Sequence, residues 1–161
     1  MEQIKLFEVK NFEDNRGTLI FPNIKDFNAL ECTVSINKKN VFRGFHINDF
    51  AKHITCIQGE FLDIIINPET NEITKINLTT GSQILIPKNF AHGFIALQEN
   101  SIMVYHFDGI FKNAKPFYLK NFEKFDLIMS DIDFKNLNEM ATGITVSVSV
   151  SDSDSDSSKK P

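Results

Sequence analysis

From Ile4 to Phe107 the chain is a succession of short β-type runs, each stopped within a few residues by Gly, Pro, Asn or Asp. That punctuation constrains the fold more than any other feature. Ile4–Val9, Thr18–Phe21, Cys32–Ile36, Val41–Ile47, Ile54–Ile57, Phe61–Ile66, Ile73–Leu78, Gln83–Ile86, Phe94–Leu97 and Ile102–Phe107 read as strands. Gln58-Gly59-Glu60 reads as a tight hairpin between two of them, and Gln98-Glu99-Asn100 as the turn between the last pair. Asp26–Glu31 fits one short helical turn. Only Phe134–Ala141 has a helical pattern, with Ser130 or Asp131 as its N-cap. Strands this short and this regularly spaced predict an all-β sandwich or barrel, of which the jelly roll is one form.

With 161 residues the chain suffices for one domain with its own core. The expected division is a domain over 1–141 and a tail over 142–161. The tail alternates Ser with Val and then Ser with Asp. Its Ser/Asp part cannot bury enough apolar area to offset the entropy of ordering, so disorder is expected there. Sixteen Phe against two Tyr and no Trp predict a core filled largely by phenylalanine.

A net charge of -4 argues against a nucleic-acid or membrane-surface binder, while single arginines still suit an anionic small molecule. Cys32 and Cys56 form no CxxC or zinc pattern, and the first residues lack the apolar core of a signal peptide. A cytoplasmic, soluble protein with reduced thiols is the expectation.

Chemistry concentrates in two stretches, Arg43-Gly44-Phe45-His46 through Lys52 to Asp63, and Ile86 through His92 to Tyr105. His46 is followed two residues later by Asn48 rather than a second histidine, and no glutamate lies a few residues beyond. This is a weak metal set, and no metal or other cofactor is expected. An imidazole titrating at about 6.5 serves well as a general base. A lysine can stabilise an enolate oxygen, and a phenol can return a proton from the other face. His46, Lys52 and Tyr105 are thus the parts for moving a proton beside a carbonyl. Taken singly, each is as well read as a packed or surface residue. His53 and His106 are read that way, facing opposite to Lys52 and Tyr105. Arg16 and Arg43 each precede glycine, which suits a close approach to phosphate or, equally, a surface ion pair.

In combination these blocks resemble the dTDP-4-dehydrorhamnose 3,5-epimerase family. The resemblance rests on Phe12-Glu13-Asp14-Asn15-Arg16-Gly17, Arg43-Gly44-Phe45-His46, Lys52, Gly59-Glu60, Asp63, Ile86-Pro87-Lys88-Asn89-Phe90-Ala91-His92-Gly93-Phe94 and Met129-Ser130-Asp131-Ile132-Asp133, from about Phe12 to Leu137. It implies a metal-free, cupin-type jelly-roll barrel, a homodimer, and a nucleotide-linked 4-keto-6-deoxy sugar as substrate. It implies His46 as base, Asp133 as the carboxylate paired with it, Lys52 beside the enolate and Tyr105 as proton donor. Arg16, Arg43, Asp63 and His92 fall at substrate-binding or active-site positions.

The chain departs from the family pattern at Glu31-Cys32-Thr33, where a Gln-Asp-Asn run is usual, and at Phe111, where a second tyrosine is frequent. It is also shortened between Lys115 and Leu127. Glu31 and Phe111 therefore join the candidate substrate contacts, and the differences bear on recognition more than on proton transfer. The expected activity is epimerisation at C3, C5 or both. The alternatives are a 3,4-ketoisomerase of a dTDP-4-keto-6-deoxy sugar and a non-catalytic cupin that binds sugar nucleotides.

Overall fold

A computed structural model of the chain describes residues 3–117. The strands in chain order are β1 (Lys5–Glu8), β2 (Lys10–Asp14), β3 (Gly17–Phe21), β4 (Glu31–Asn37), β5 (Phe42–Ile47) and β6 (Lys52–Gln58). They continue as β7 (Glu60–Asn67), β8 (Glu72–Thr79), β9 (Ser82–Ile86), β10 (Ala91–Ala96), β11 (Ser101–Phe107) and β12 (Lys115–Pro116). One 3-10 turn, Phe111–Asn113, is the sole helical element among the described residues, none of which forms a helix long and apolar enough to cross a membrane. The helix expected over Phe134–Ala141 and the tail over 142–161 lie outside the described residues.

Two five-stranded sheets face each other, in the orders β1-β9-β6-β11-β4 and β12-β5-β10-β7-β8, with β2 and β3 as a separate hairpin. All the pairings are antiparallel. Ile54, Phe61, Ile65, Leu78, Ile84, Phe94 and Met103 meet between the sheets, each at most 3% exposed. Side chains of this size stabilise the fold by roughly 1.5–3 kcal/mol each when fully buried. A second cluster, built on Phe42, Phe45, Ile64, Ile66, Ala91 and Ile95, occupies the opposite face of the second sheet.

Three local expectations are corrected. Gln58-Gly59-Glu60 does not join a hairpin, because β6 pairs with β9 and β11 while β7 pairs with β8 and β10. The chain crosses there from one sheet to the other. Gly59, at φ +87°, permits the crossing: a Cβ on it would stand 2.2 Å from Ser101 Oγ. The segment around Gln98-Glu99-Asn100 likewise passes between sheets, from β10 to β11. Asp26–Glu31 contains a turn and a bend but no helical turn. In a two-layer sandwich a turn signal marks where a strand stops and leaves open which sheet receives the next one.

Candidate active site

Strand register brings the chemistry together. His46 on β5 stands directly opposite His92 on β10. In the facing sheet Lys52 is opposite Phe107 and Ile54 opposite Tyr105, so Lys52 and Tyr105 are diagonal neighbours on one face. A cavity of about 320 Å3 opens between the sheets, with Arg43, His46, Lys52, His92 and Tyr105 along its polar side. Thr33, Val34, Ser35 and Ile36 of the edge strand β4 form another wall, and Phe94, Phe107 and Phe111 complete it.

The presence of both Arg43 and His46 on this wall needs explanation, because residues three apart on a regular strand point to opposite faces. Here Arg43 is opposite Phe94 while His46 is opposite His92, so β5 uses one more residue than β10 over the interval. This bulge turns both side chains into the cavity. It also turns Phe42 and Phe45 together onto the other face, where their rings meet edge to face at 5.3 Å. Glycines permit it: a Cβ on Gly44 would lie 2.5 Å from Gly93 Cα, and Gly44 has φ +134°.

Four polar side chains of the site are buried. Lys52, Asp63, His92 and Tyr105 are 3%, 0%, 6% and 8% exposed. His92 Nε2 lies 2.9 Å from Asp63 Oδ1. A carboxylate can only accept, so Nε2 carries the proton and the imidazole is held in one tautomer. Burial pushes the His92 pKa below its ordinary value, and nearby Lys52 adds to that, against the opposing pull of Asp63. His92 is therefore neutral at pH 7. Burial also lowers Lys52 to about 7, with Asp63 opposing the change. The Tyr105 phenol is pushed up, chiefly by burial, so it keeps its proton and is suited to give one rather than take one.

The remaining expected residues fall in different places. Asp63 does not line the cavity but stands behind His92, where it holds the ring. Glu31 accepts a hydrogen bond from the Phe111 backbone N–H at 2.7 Å, which ties the 3-10 turn to β4 at the cavity mouth. Phe111 stacks on Phe107 at 5.4 Å, and Phe107 stacks on Tyr105 at 5.9 Å. Arg16 lies apart, at the exposed turn of the β2–β3 hairpin, paired with Asp14. Asp133 lies outside the described residues. His53 and His106 face each other on the outer side of the first sheet. The His53 ring sits 5.7 Å from that of Phe7 and 4.7 Å from that of Phe27, a packed histidine as expected. Among the described residues no group of three or more His, Cys, Asp or Glu is arranged to hold a metal ion.

Two residues not anticipated are Ser35 and Asn37. Ser35 Oγ is 3.3 Å from Tyr105 Oη, and Asn37, 2% exposed, donates to Ser35 and accepts from Arg43. Thr33, Ser35 and Asn37 recur at every second position of β4 on the face turned toward Tyr105. That polar period was available in the sequence but does not say which face is inside.

The profile of the dTDP-4-dehydrorhamnose 3,5-epimerase family matches residues 1–158 of this chain. The enzyme of that name from Salmonella typhimurium is 34% identical over 122 residues, covering 63% of this chain and 67% of its own. The crystal structure of the Sulfolobus tokodaii dTDP-4-dehydrorhamnose 3,5-epimerase superposes with a TM-score of 0.70 at 26% identity, covering 82% of this chain and 88% of that one. The Bacillus anthracis structure, with TDP and PPi bound, has the same fold, with a TM-score of 0.70 at 24% identity over 81% of this chain and 90% of its own. A cupin-type barrel with these residues on its inner walls, matched along nearly its whole length by one family of isomerases, belongs to the dTDP-4-dehydrorhamnose 3,5-epimerase family.

Proposed function

We propose that the chain epimerises a nucleotide-linked 4-keto-6-deoxy sugar at C3, C5 or both, through an enolate. The observation that carries this reading is the placement of His46, Lys52 and Tyr105 around one cavity, on two sheets that face each other. A sugar ring between the sheets presents one face to each. His46 takes the proton from the carbon beside the ketone. Lys52, when charged, stabilises the oxyanion, and an approaching enolate favours its charged form. Tyr105 protonates the carbon from the other side. Asp133 is assigned as the carboxylate that orients His46, Arg43 as a contact to the diphosphate, and the neutral His92, fixed by Asp63, as a donor or acceptor to the sugar.

A second copy of the chain is part of this reading. The edge strand β4 turns Ser35 and Asn37 toward Tyr105 and leaves Val34 56% and Ile36 67% exposed beside the cavity. The β2–β3 hairpin exposes Phe12, Leu19 and Phe21 and pairs with no other strand among the described residues. Two-stranded hairpins are marginal alone in water. A homodimer that covers both surfaces fits these observations, and the hairpin that carries Arg16 would then reach the partner.

The test is proton NMR in deuterated water with a dTDP-4-keto-6-deoxyhexose. Deuterium at C3, C5 or both, with an inverted product, is expected, and His46→Ala should abolish exchange while the circular dichroism spectrum is unchanged. Retained exchange in that variant would sink the assignment of the base. A keto group migrated to C3 would point to ketoisomerisation, and binding without exchange to a non-catalytic cupin.

A further inference from the structure

We propose that Ser35 is a positioning residue that sets the direction of the Tyr105 hydroxyl, at the end of a hydrogen-bond chain Arg43–Asn37–Ser35–Tyr105 that runs one way. The role in turnover rests on the epimerase reading above, whereas the direction of the bonds does not.

The first two steps follow from what each group is able to donate. Arg43 Nε is a donor only, and it lies 2.9 Å from Asn37 Oδ1. Asn37 Nδ2 lies 3.2 Å from the backbone carbonyl oxygen of Ser101, which is an acceptor only. These two partners fix the amide orientation, since a flipped Asn37 would set donor against donor and acceptor against acceptor. The other Nδ2 proton then points at Ser35 Oγ, 3.0 Å away. Ser35 Oγ accepts that bond with one lone pair and keeps its own proton to donate to Tyr105 Oη at 3.3 Å, the direction proposed over the reverse, which its second lone pair would also permit. Once Oη accepts from Ser35, the phenolic proton is left to turn elsewhere, and Tyr105 lines the cavity. The separation of 3.3 Å is long for a hydroxyl pair, as catalytic contacts often are before substrate binds and charge develops.

In the protonation step the enolate carbon forms its new C–H bond with the Tyr105 proton, and the O–H electron pair stays on Oη as phenolate. The Ser35 O–H already aims at that oxygen and meets the new charge without reorientation. One proton enters at His46 and one leaves from Tyr105, so exchange with water resets both groups. Burial opposes phenolate formation, and the Ser35 contact acts against it. Arg43 ties the relay to the same wall that holds His46, so the base and the acid are braced through one strand bulge.

The experiment exploits a chain with two tyrosines and no tryptophan. In a Tyr118→Phe background, the tyrosine Fermi doublet in the Raman spectrum reads Tyr105 alone and distinguishes a phenol oxygen that accepts a hydrogen bond from one that only donates. An accepting doublet is expected, lost in Ser35→Ala and retained in Ser35→Thr. A donor-type doublet, or one unchanged by Ser35→Ala, would overturn the proposal. With a nucleotide-linked 4-keto-6-deoxy sugar in deuterated water, Ser35→Ala should slow inversion by about tenfold, the scale of one hydrogen bond. Deuterium returned to the original face should then exceed inversion, with KM little changed. Equal loss of both would overturn the role in protonation. If the unsubstituted chain exchanges no deuterium, the epimerase reading and the catalytic role fail together, and the Raman result alone decides the direction of the bonds.

Discussion

Lys52 is where burial and charge conflict most directly. Its pKa is lowered from 10.5 to about 7, first by burial and then against the pull of Asp63. In the unfolded chain the ammonium holds its proton up to about 10.4. Between about 7 and that value the unfolded state binds a proton that the native state lacks, so stability contributed by this group rises with pH across the window. Below about 7 the native state must carry a buried cation. Lys52→Met should therefore raise the stability of the protein at pH 6, on the order of 1–3 kcal/mol, and flatten the rise in Tm above pH 7. Thermal melts across pH check this, and an unchanged pH profile would refute it. The same variant should lose turnover. His46, Lys52, His92 and Tyr105 were legible in the sequence only in combination, through the blocks that resemble the epimerase family, since each alone reads equally well as a packed or surface residue. Ser35 and Asn37 were not, because hydroxyl and amide side chains on an edge strand look the same whether they face water or a cavity.

Two elements set the geometry of the site. The β5 bulge depends on the close approach of Gly44 to Gly93. Gly44→Ala forces a Cβ into backbone at a φ that other residues rarely adopt. Its expected cost is about 2–4 kcal/mol in chemical denaturation, with activity lost in whatever remains folded. A cost below about 0.5 kcal/mol would show that the strand tolerates the methyl group, contrary to this account. At the mouth, Glu31 is the acceptor that holds the Phe111 turn. Glu31→Ala should free that turn and raise KM several-fold with kcat nearly unchanged, whereas Glu31→Gln, which keeps an acceptor oxygen, should act mildly. An equal loss in both variants would mean that the carboxylate charge itself meets substrate. The Arg-Gly pair announced a special backbone position, but a bulge is a relation between two strands and is not written in either one.

At the scale of the whole molecule, the exposed apolar side chains of β4 and the separate hairpin carry the case for a dimer. Ile36→Asp, at a position 67% exposed here, should be nearly neutral in a monomer. In the proposed dimer it places a charge in a buried apolar interface, and sedimentation should show dissociation at micromolar concentration. A variant that sediments like the unsubstituted chain would remove this face from the interface.

Ten of the twelve strands, their limits to within three residues, and the class of chemistry were legible in the sequence itself, whereas β2 and β12 were not. Apolar alternation, turn residues and a few scarce functional groups are local properties, readable within a few neighbours. Sheet membership was decided only by the tertiary structure. The turn read as a hairpin at Gly59, and the turn at Gln98–Asn100 read as joining a strand pair, both carry the chain between layers, because pairing is settled by which faces can be buried together. The same packing placed Asp63 behind His92, turned Arg43 and His46 to one side, and made Asn37 and Ser35 partners of Tyr105. Burial then supplied the pKa changes in Lys52, His92 and Tyr105, since the cost of a charge depends on the water around it, and that water is excluded only when the two sheets close.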